Sequence, residues 1–305
     1  MRNNSSARKL QQIEVNHFYN GSKSTINKTE LNSKIITGLT PLIQPNICYK
    51  NRYKLIIVIC SDPAKYHKRN AIRDTFGNKE ALQAVEARII FLVGTRDDDR
   101  IKDRIYEENR QNEDILQFNF MDSYRNLTLK SLSMIKWIKE NCMESVRFIL
   151  KSDDDMYVNV PNLIKNLEKV TERDFIMGSK IIGAKPIQDP NSKWYTPKEV
   201  FSEKNYPHYV SGTAYALSVS SIPKLYNASF MTPLFWLEDI YVTGLCAREA
   251  GVSVINNLGF TFDRRKPTGC SFKNVISGHQ VYLPEMYRIH MELSDRSIVC
   301  PDVIA

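Results

Sequence analysis

Four short runs of apolar, largely β-branched residues recur along the first half of the chain. They are KLIIVIC (54–60), RIIFLVG (88–94), ILQFNF (115–120) and VRFILK (146–151). Unbroken apolar runs of this length predict parallel strands buried on both faces. Helix-like segments lie between them. DDDRIKDRIYEENRQ (97–111) is one; NLTLKSLSMIKWIKEN (126–141) is another, with Leu129, Leu132, Ile135 and Ile138 at three-residue spacing. Strand and helix alternating predicts an α/β fold: a mostly parallel central sheet flanked by helices, with right-handed crossovers. Ligands of such sheets sit beyond the carboxyl ends of the strands. From about residue 156 the pattern loosens and becomes aromatic, with Trp194, Tyr195, Tyr206, Tyr209 and Tyr215 in KWYTPKEVFSEKNYPHYVSGTAYALS (193–218). This half reads as completing the same domain.

Composition changes the picture mainly at the N-terminus. The net charge of +8 suggests nucleic acid until it is located. Residues 1–54 hold nine Lys/Arg against Glu14 and Glu30, a balance of +7, leaving about +1 for the remainder. The globular part therefore has no basic excess for a phosphate backbone, which excludes nucleic acid as a partner. The same segment is polar and carries N-x-S/T sequons at Asn3, Asn4, Asn20 and Asn27; two more stand at Asn126 and Asn227. Residues 1–47 are expected to be a disordered, basic stem and 48–305 one folded domain. No run approaches the roughly 18–20 apolar residues of a membrane span. Six widely spaced cysteines, with no CxxC pair, permit up to three disulfides in any of fifteen connectivities.

Two DDD tripeptides come after strand-like runs. Asp97–Asp99 precede a charged helix, where acidic residues favour the positive helix end, and need no ligand. After Asp153–Asp155 the chain returns at once to apolar MYVNV, so three carboxylates sit between buried runs. They are either a solvated acidic turn or oxygen ligands for Mn²⁺ or Mg²⁺. Arg69 and Arg73, four apart on one helical face, suit a diphosphate or base, or form an ordinary surface pair. Glu238 and Asp239 lie in apolar company (Leu237, Ile240, Tyr241): candidates for a raised pKa and a general-base role, or a helix-start acid pair. His279 comes after a glycine and is either structural or a late metal ligand.

These pieces line up with a known family. RNAIRDTFG (69–77), DSYRNLTLKSLSMIKWIKENC (122–142), LKSDDDMYVNV (150–160), YPHYVSGTAYALS (206–218) and LEDIYVTGLC (237–246) occur in its order. The chain resembles the β1,3-glycosyltransferases: β1,3-galactosyltransferases, β1,3-N-acetylglucosaminyltransferases and the more distant Fringe enzymes. The resemblance spans about residues 48–300. It implies a GT-A-type fold and inverting transfer from a UDP-sugar to a glycan or glycolipid hydroxyl, forming a β1,3 linkage. Carried over by motif, Asp155 becomes the main Mn²⁺ ligand, with Asp153 and His279 beside it. Arg69, Arg73, Asp122, Lys130, Lys151, Asp153 and Asp154 would border the donor. Asp239 would be the base, with Glu238 second choice; Trp194, Tyr195, Ser211 and Gly212 would face the acceptor. The tail HQVYLPEMYRI (279–289) and DSYRNLTLK (122–130) favour UDP-galactose over UDP-N-acetylglucosamine. Intact Asp153–Asp155 and Asp239 argue against a catalytically silent carbohydrate-binding relative. Phe76 replaces the usual Trp, and Val210 stands where relatives often carry Cys, so one family disulfide is not expected. The resemblance also implies a type II Golgi membrane protein facing the lumen, although this sequence contains no span.

Overall fold

The computed structural model describes residues 28–300. Its centre is an eight-stranded sheet in the order β1-β4-β3-β2-β5-β8-β7-β9. The four predicted runs are its parallel core: β2 (Tyr53–Cys60), β3 (Ala87–Thr95), β4 (Ile115–Met121) and β5 (Val146–Asp153). Leu55 to Cys60 are buried without a break, as a strand covered on both faces requires. Odd and even residues feed opposite cores: Ile56 and Val58 pack towards one set of helices, Leu55, Ile57 and Ile59 towards the other. β7 (Phe175–Ile181), β8 (Tyr209–Ser218) and β9 (Ser253–Asn256) extend the sheet past β5, with β8 antiparallel to both neighbours.

The chain runs from β2 outward through β3 and β4, then returns to lay β5 on the other side of β2. The strand order therefore reverses between β2 and β5, where open α/β sheets open a binding crevice at their carboxyl ends. Cys60 pairs in register with Asp153, so the loop after β2 and the second DDD lie side by side there. A short antiparallel ladder completes the arrangement. β6 (Tyr157–Val158) pairs with β10 (Ser277–Gly278), which carries His279 to the acidic turn. A side chain at Gly278 would meet the Phe272 ring at 2.5 Å, so this approach needs glycine.

The stem boundary at 47/48 requires correction. α1 (Lys28–Gly38) and β1 (Pro41–Ile43) belong to the folded domain. Ile35, Ile36 and Leu39 are buried, the Asn32 amide donates to the Ser229 and Thr232 carbonyls, and β1 pairs with β4. Interspersed polar residues diluted the Leu31, Ile35, Leu39 stripe in the sequence. The sequons at Asn3, Asn4, Asn20 and Asn27 lie outside the described residues. Asp97–Asp99 do begin a helix: Asp98 caps Asp99–Asn112 by accepting from the Arg100 amide. Of fifteen connectivities the fold uses Cys48–Cys142 and Cys270–Cys300, leaving Cys60 and Cys246 as buried thiols.

Candidate active site

A cleft of about 610 Å³ opens at this carboxyl edge, lined by residues including Tyr124, Lys151, Asp153, Trp194, Ser211, Gly212, Trp236, Asp239 and His279. The second DDD splits into three different environments. Asp153 accepts from the Lys151 ammonium at 2.6 Å, and burial pushes its carboxyl up. Asp154 turns the other way, accepting from Lys68 at 2.7 Å and Ser61 Oγ at 2.9 Å. Asp155 faces His279, Oδ2 to Nε2 at 3.5 Å. Burial works against its charge, yet His279 and Lys68 hold its carboxyl below the usual range. The other imidazole nitrogen, Nδ1, lies 2.9 Å from the Phe262 carbonyl, to which it donates.

Two acids stand on the opposite wall, and their roles divide. Glu238 is buried; its Oε1 accepts from Ser131 Oγ and from the Tyr215 hydroxyl, both at 2.6 Å, and its Oε2 lies 3.8 Å from Lys151. Its Oε1 is thus taken up in holding the wall together, while the residue still borders the cleft beside Asp239. Asp239 opens onto the cleft at the start of a π-helical turn, Ile240–Cys246. Its oxygens accept from the Ile240 amide at 2.9 Å and the Gly212 amide at 3.3 Å. Burial, then the neighbouring Glu238 charge, raise its pKa to about 6. A Cβ on Gly212 would stand 3.0 Å from Glu238 Oε2, so glycine lets the strand approach this acid pair. Lys151 lies between Asp153 and Glu238 and also donates to the Gly212 carbonyl. Burial opposes its charge, but the two carboxylates outweigh that and keep it protonated.

Besides Asp154, four expected donor contacts do not line the cleft. Arg69 is 0% exposed and forms a two-pronged pair with Glu108 while donating to the Asp62 and Pro63 carbonyls. Arg73 is occupied by Glu108 and Asp114, and borders a separate cavity with residues from the amino ends of β2 and β3. Asp122 and Lys130 form a buried pair, from which Lys130 donates to the Ser61 carbonyl. Arg69 and Lys130 thus shape the loop after β2 from behind. Tyr195 is not part of the cleft lining; it bridges to Ile187 within its own loop. Sequence reasoning passed over Tyr124 and Trp236, cleft residues whose aromatic character was visible but whose side of the fold was not, and Lys68, which the motif places beside Arg69.

Residues 67–258 match the family model described as galactosyltransferase. The chain belongs to the galactosyltransferase family. It is 35% identical over 256 residues to β-1,3-galactosyltransferase 1 of Mus musculus and of Homo sapiens, covering 83% of this chain and 78% of each relative. It is 32% identical over 266 residues to the N-acetyllactosaminide β-1,3-N-acetylglucosaminyltransferase 4 of Mus musculus, covering 85% of this chain and 75% of that protein. The chain is therefore a hexosyltransferase by family. One consequence for this galactosyltransferase-family chain concerns Asn126. Its amide nitrogen, which a glycan would need, donates to the Met121 carbonyl at 2.8 Å, and the residue is 3% exposed. Glycopeptide mapping of the folded protein, made in glycosylating cells, is expected to find Asn126 unmodified; an occupied Asn126 would contradict this packing.

Proposed function

We propose that the protein transfers galactose from UDP-galactose to the 3-hydroxyl of an acceptor sugar, an N-acetylglucosamine-terminated glycan or glycolipid, with inversion to a β1,3 linkage. The observation that carries this reading is Asp239, a buried carboxylate open to the cleft with its pKa raised to about 6. A base poised near the working pH withdraws a hydroxyl proton efficiently. The Gly212 and Ile240 amides fix its direction, so proton transfer needs no reorientation of the acid. Lys151 brings positive charge to the floor between the two walls.

Asp155 and His279 fit a divalent cation, Mn²⁺ or Mg²⁺: a carboxylate oxygen and an imidazole nitrogen face each other, and the imidazole's far side is fixed by Phe262. Asp153 fits less well, being tied to Lys151; among the described residues no three such groups converge. When bound, the cation supplies countercharge for a departing diphosphate. We extend the proposal to a type II membrane protein facing the Golgi lumen, a reading supported by the family resemblance. No helix among the described residues is long and apolar enough to cross a membrane.

A donor screen tests the reading. Purified protein with Mn²⁺ and an N-acetylglucosamine-terminated acceptor should release UDP from UDP-galactose. Release only from UDP-N-acetylglucosamine would shift the assignment to the β1,3-N-acetylglucosaminyltransferase reading. No release from either would leave a silent carbohydrate-binding relative. The rate should also rise about tenfold per pH unit below about pH 6 and level off above it, because protonated Asp239 accepts no proton. A rising limb near pH 4 would mean an ordinary solvated carboxylate.

A further inference from the structure

The loop joining β7 to β8, residues 182–208, lines the cleft as a strap. It is tied to itself: the Thr196 amide donates to the Ile187 carbonyl and the Tyr206 amide to the Ala184 carbonyl, both at 2.9 Å. Tyr206 closes the loop through its hydroxyl, which donates to Thr196 Oγ1 at 2.9 Å. At the strap's tip, the Trp194 indole N–H donates to the Tyr124 hydroxyl on the opposite wall at 3.1 Å, across 70 residues of sequence. The Lys193 ammonium lies over both rings, 4.4 Å from the centre of Trp194 and 5.7 Å from that of Tyr124.

The two aromatic residues differ in support. Tyr124 is backed edge-to-face by buried Trp236 at 6.4 Å, whose ring carries the Arg125 guanidinium at 4.0 Å. Among the described residues Trp194 has no aromatic ring stacked on it. Both remain about half exposed, at 48% and 45%, and line the cleft that Asp239 borders. Exposed aromatic faces around a polar floor suit the C–H face of a pyranose ring. The Tyr124 oxygen accepts from the indole, and among the described residues its own proton has no acceptor, leaving it available to a bound hydroxyl.

We infer that Tyr124 is a positioning residue for the acceptor: its hydroxyl clasps Trp194 across the cleft, fixing the strap and the indole against which the acceptor sugar stacks. The inference rests on the proposed function for its acceptor chemistry. The clasp itself is a property of the protein without substrate.

Tyr124→Phe, Trp194→Phe and the double variant test it. Phenylalanine at 124 keeps the ring and removes only the hydroxyl; at 194 it removes the indole N–H and also leaves a smaller ring. Tyr124→Phe is expected to raise acceptor KM about five- to tenfold, the range of one or two lost hydrogen bonds, with donor KM changed less than about twofold. Trp194→Phe should act in the same direction. The double variant should cost less than the sum of the two single variants, because both changes break one shared contact. Hydrogen exchange in the free protein supplies the second readout: amides of residues 185–198 should exchange faster in either single variant. An unchanged acceptor KM in Tyr124→Phe, or fully additive effects in the double variant, would overturn the inference. If the unaltered protein transfers no sugar, the proposed function fails, and strap exchange alone decides the clasp: faster exchange in the variants supports it, unchanged exchange sinks it.

Discussion

Asp239→Asn is expected to lower kcat by about 10²–10⁴-fold while leaving donor binding within a few-fold, since a positioned general base contributes on that scale. The substitution is nearly isosteric, but the new side chain has one amide nitrogen where a carboxylate oxygen stood. Because Asp239 accepts from the Gly212 and Ile240 amides, the asparagine can keep only one of the two contacts with its carbonyl oxygen. Thermal unfolding and UDP affinity should accompany the kinetics. A stable, UDP-binding Asp239→Asn protein with near-normal kcat would remove Asp239 from the chemistry. Glu238→Gln should behave differently. Glu238 accepts from Ser131 and Tyr215 and neighbours Lys151, so its substitution is expected to disturb stability and the cleft wall together.

The second large effect concerns folding. Arg69→Met is expected to destabilise the protein by about 3–5 kcal/mol, the cost of leaving a buried charge without its partner. Glu108, wholly buried, receives two bonds from Arg69 and one from Arg73. Removing Arg69 leaves the carboxylate with a single cation and releases the carbonyls of Asp62 and Pro63. For a domain of this size that corresponds to a fall of about 10 °C in Tm. Any loss of donor affinity should come with this instability, through the loop after β2. If Arg69→Met melted normally and lost only donor affinity, Arg69 would be a direct donor contact after all.

The contrast between these two residues shows what the sequence could reveal. Asp239 was legible because apolar neighbours on both sides mark a carboxylate that burial will raise. Arg69 had the right motif and the wrong role. Its partner Glu108 lies within a run of charged residues (DRIYEENRQ, 103–111) that reads as a solvated helix face, although Glu108 itself points inward. The second DDD was legible from the apolar MYVNV immediately after it, but its division into three environments was not. Which aspartate meets His279 depends on the two-residue ladder between β6 and β10, too short to leave a periodic pattern. The parallel core was the clearest feature, because strands covered on both faces write unbroken apolar runs. α1 was missed because a few buried positions among polar residues look like a tail.

The most direct measurement is nuclear magnetic resonance of the product formed from UDP-galactose, labelled with carbon-13 in the sugar, and an N-acetylglucosamine-terminated acceptor in the presence of Mn²⁺. The expected spectrum shows a new galactose in β configuration attached to carbon 3 of the acceptor, and no such signal with Asp239→Asn. An α linkage, attachment at another carbon, or equal product from the Asp239→Asn protein would contradict Asp239-driven β1,3 transfer.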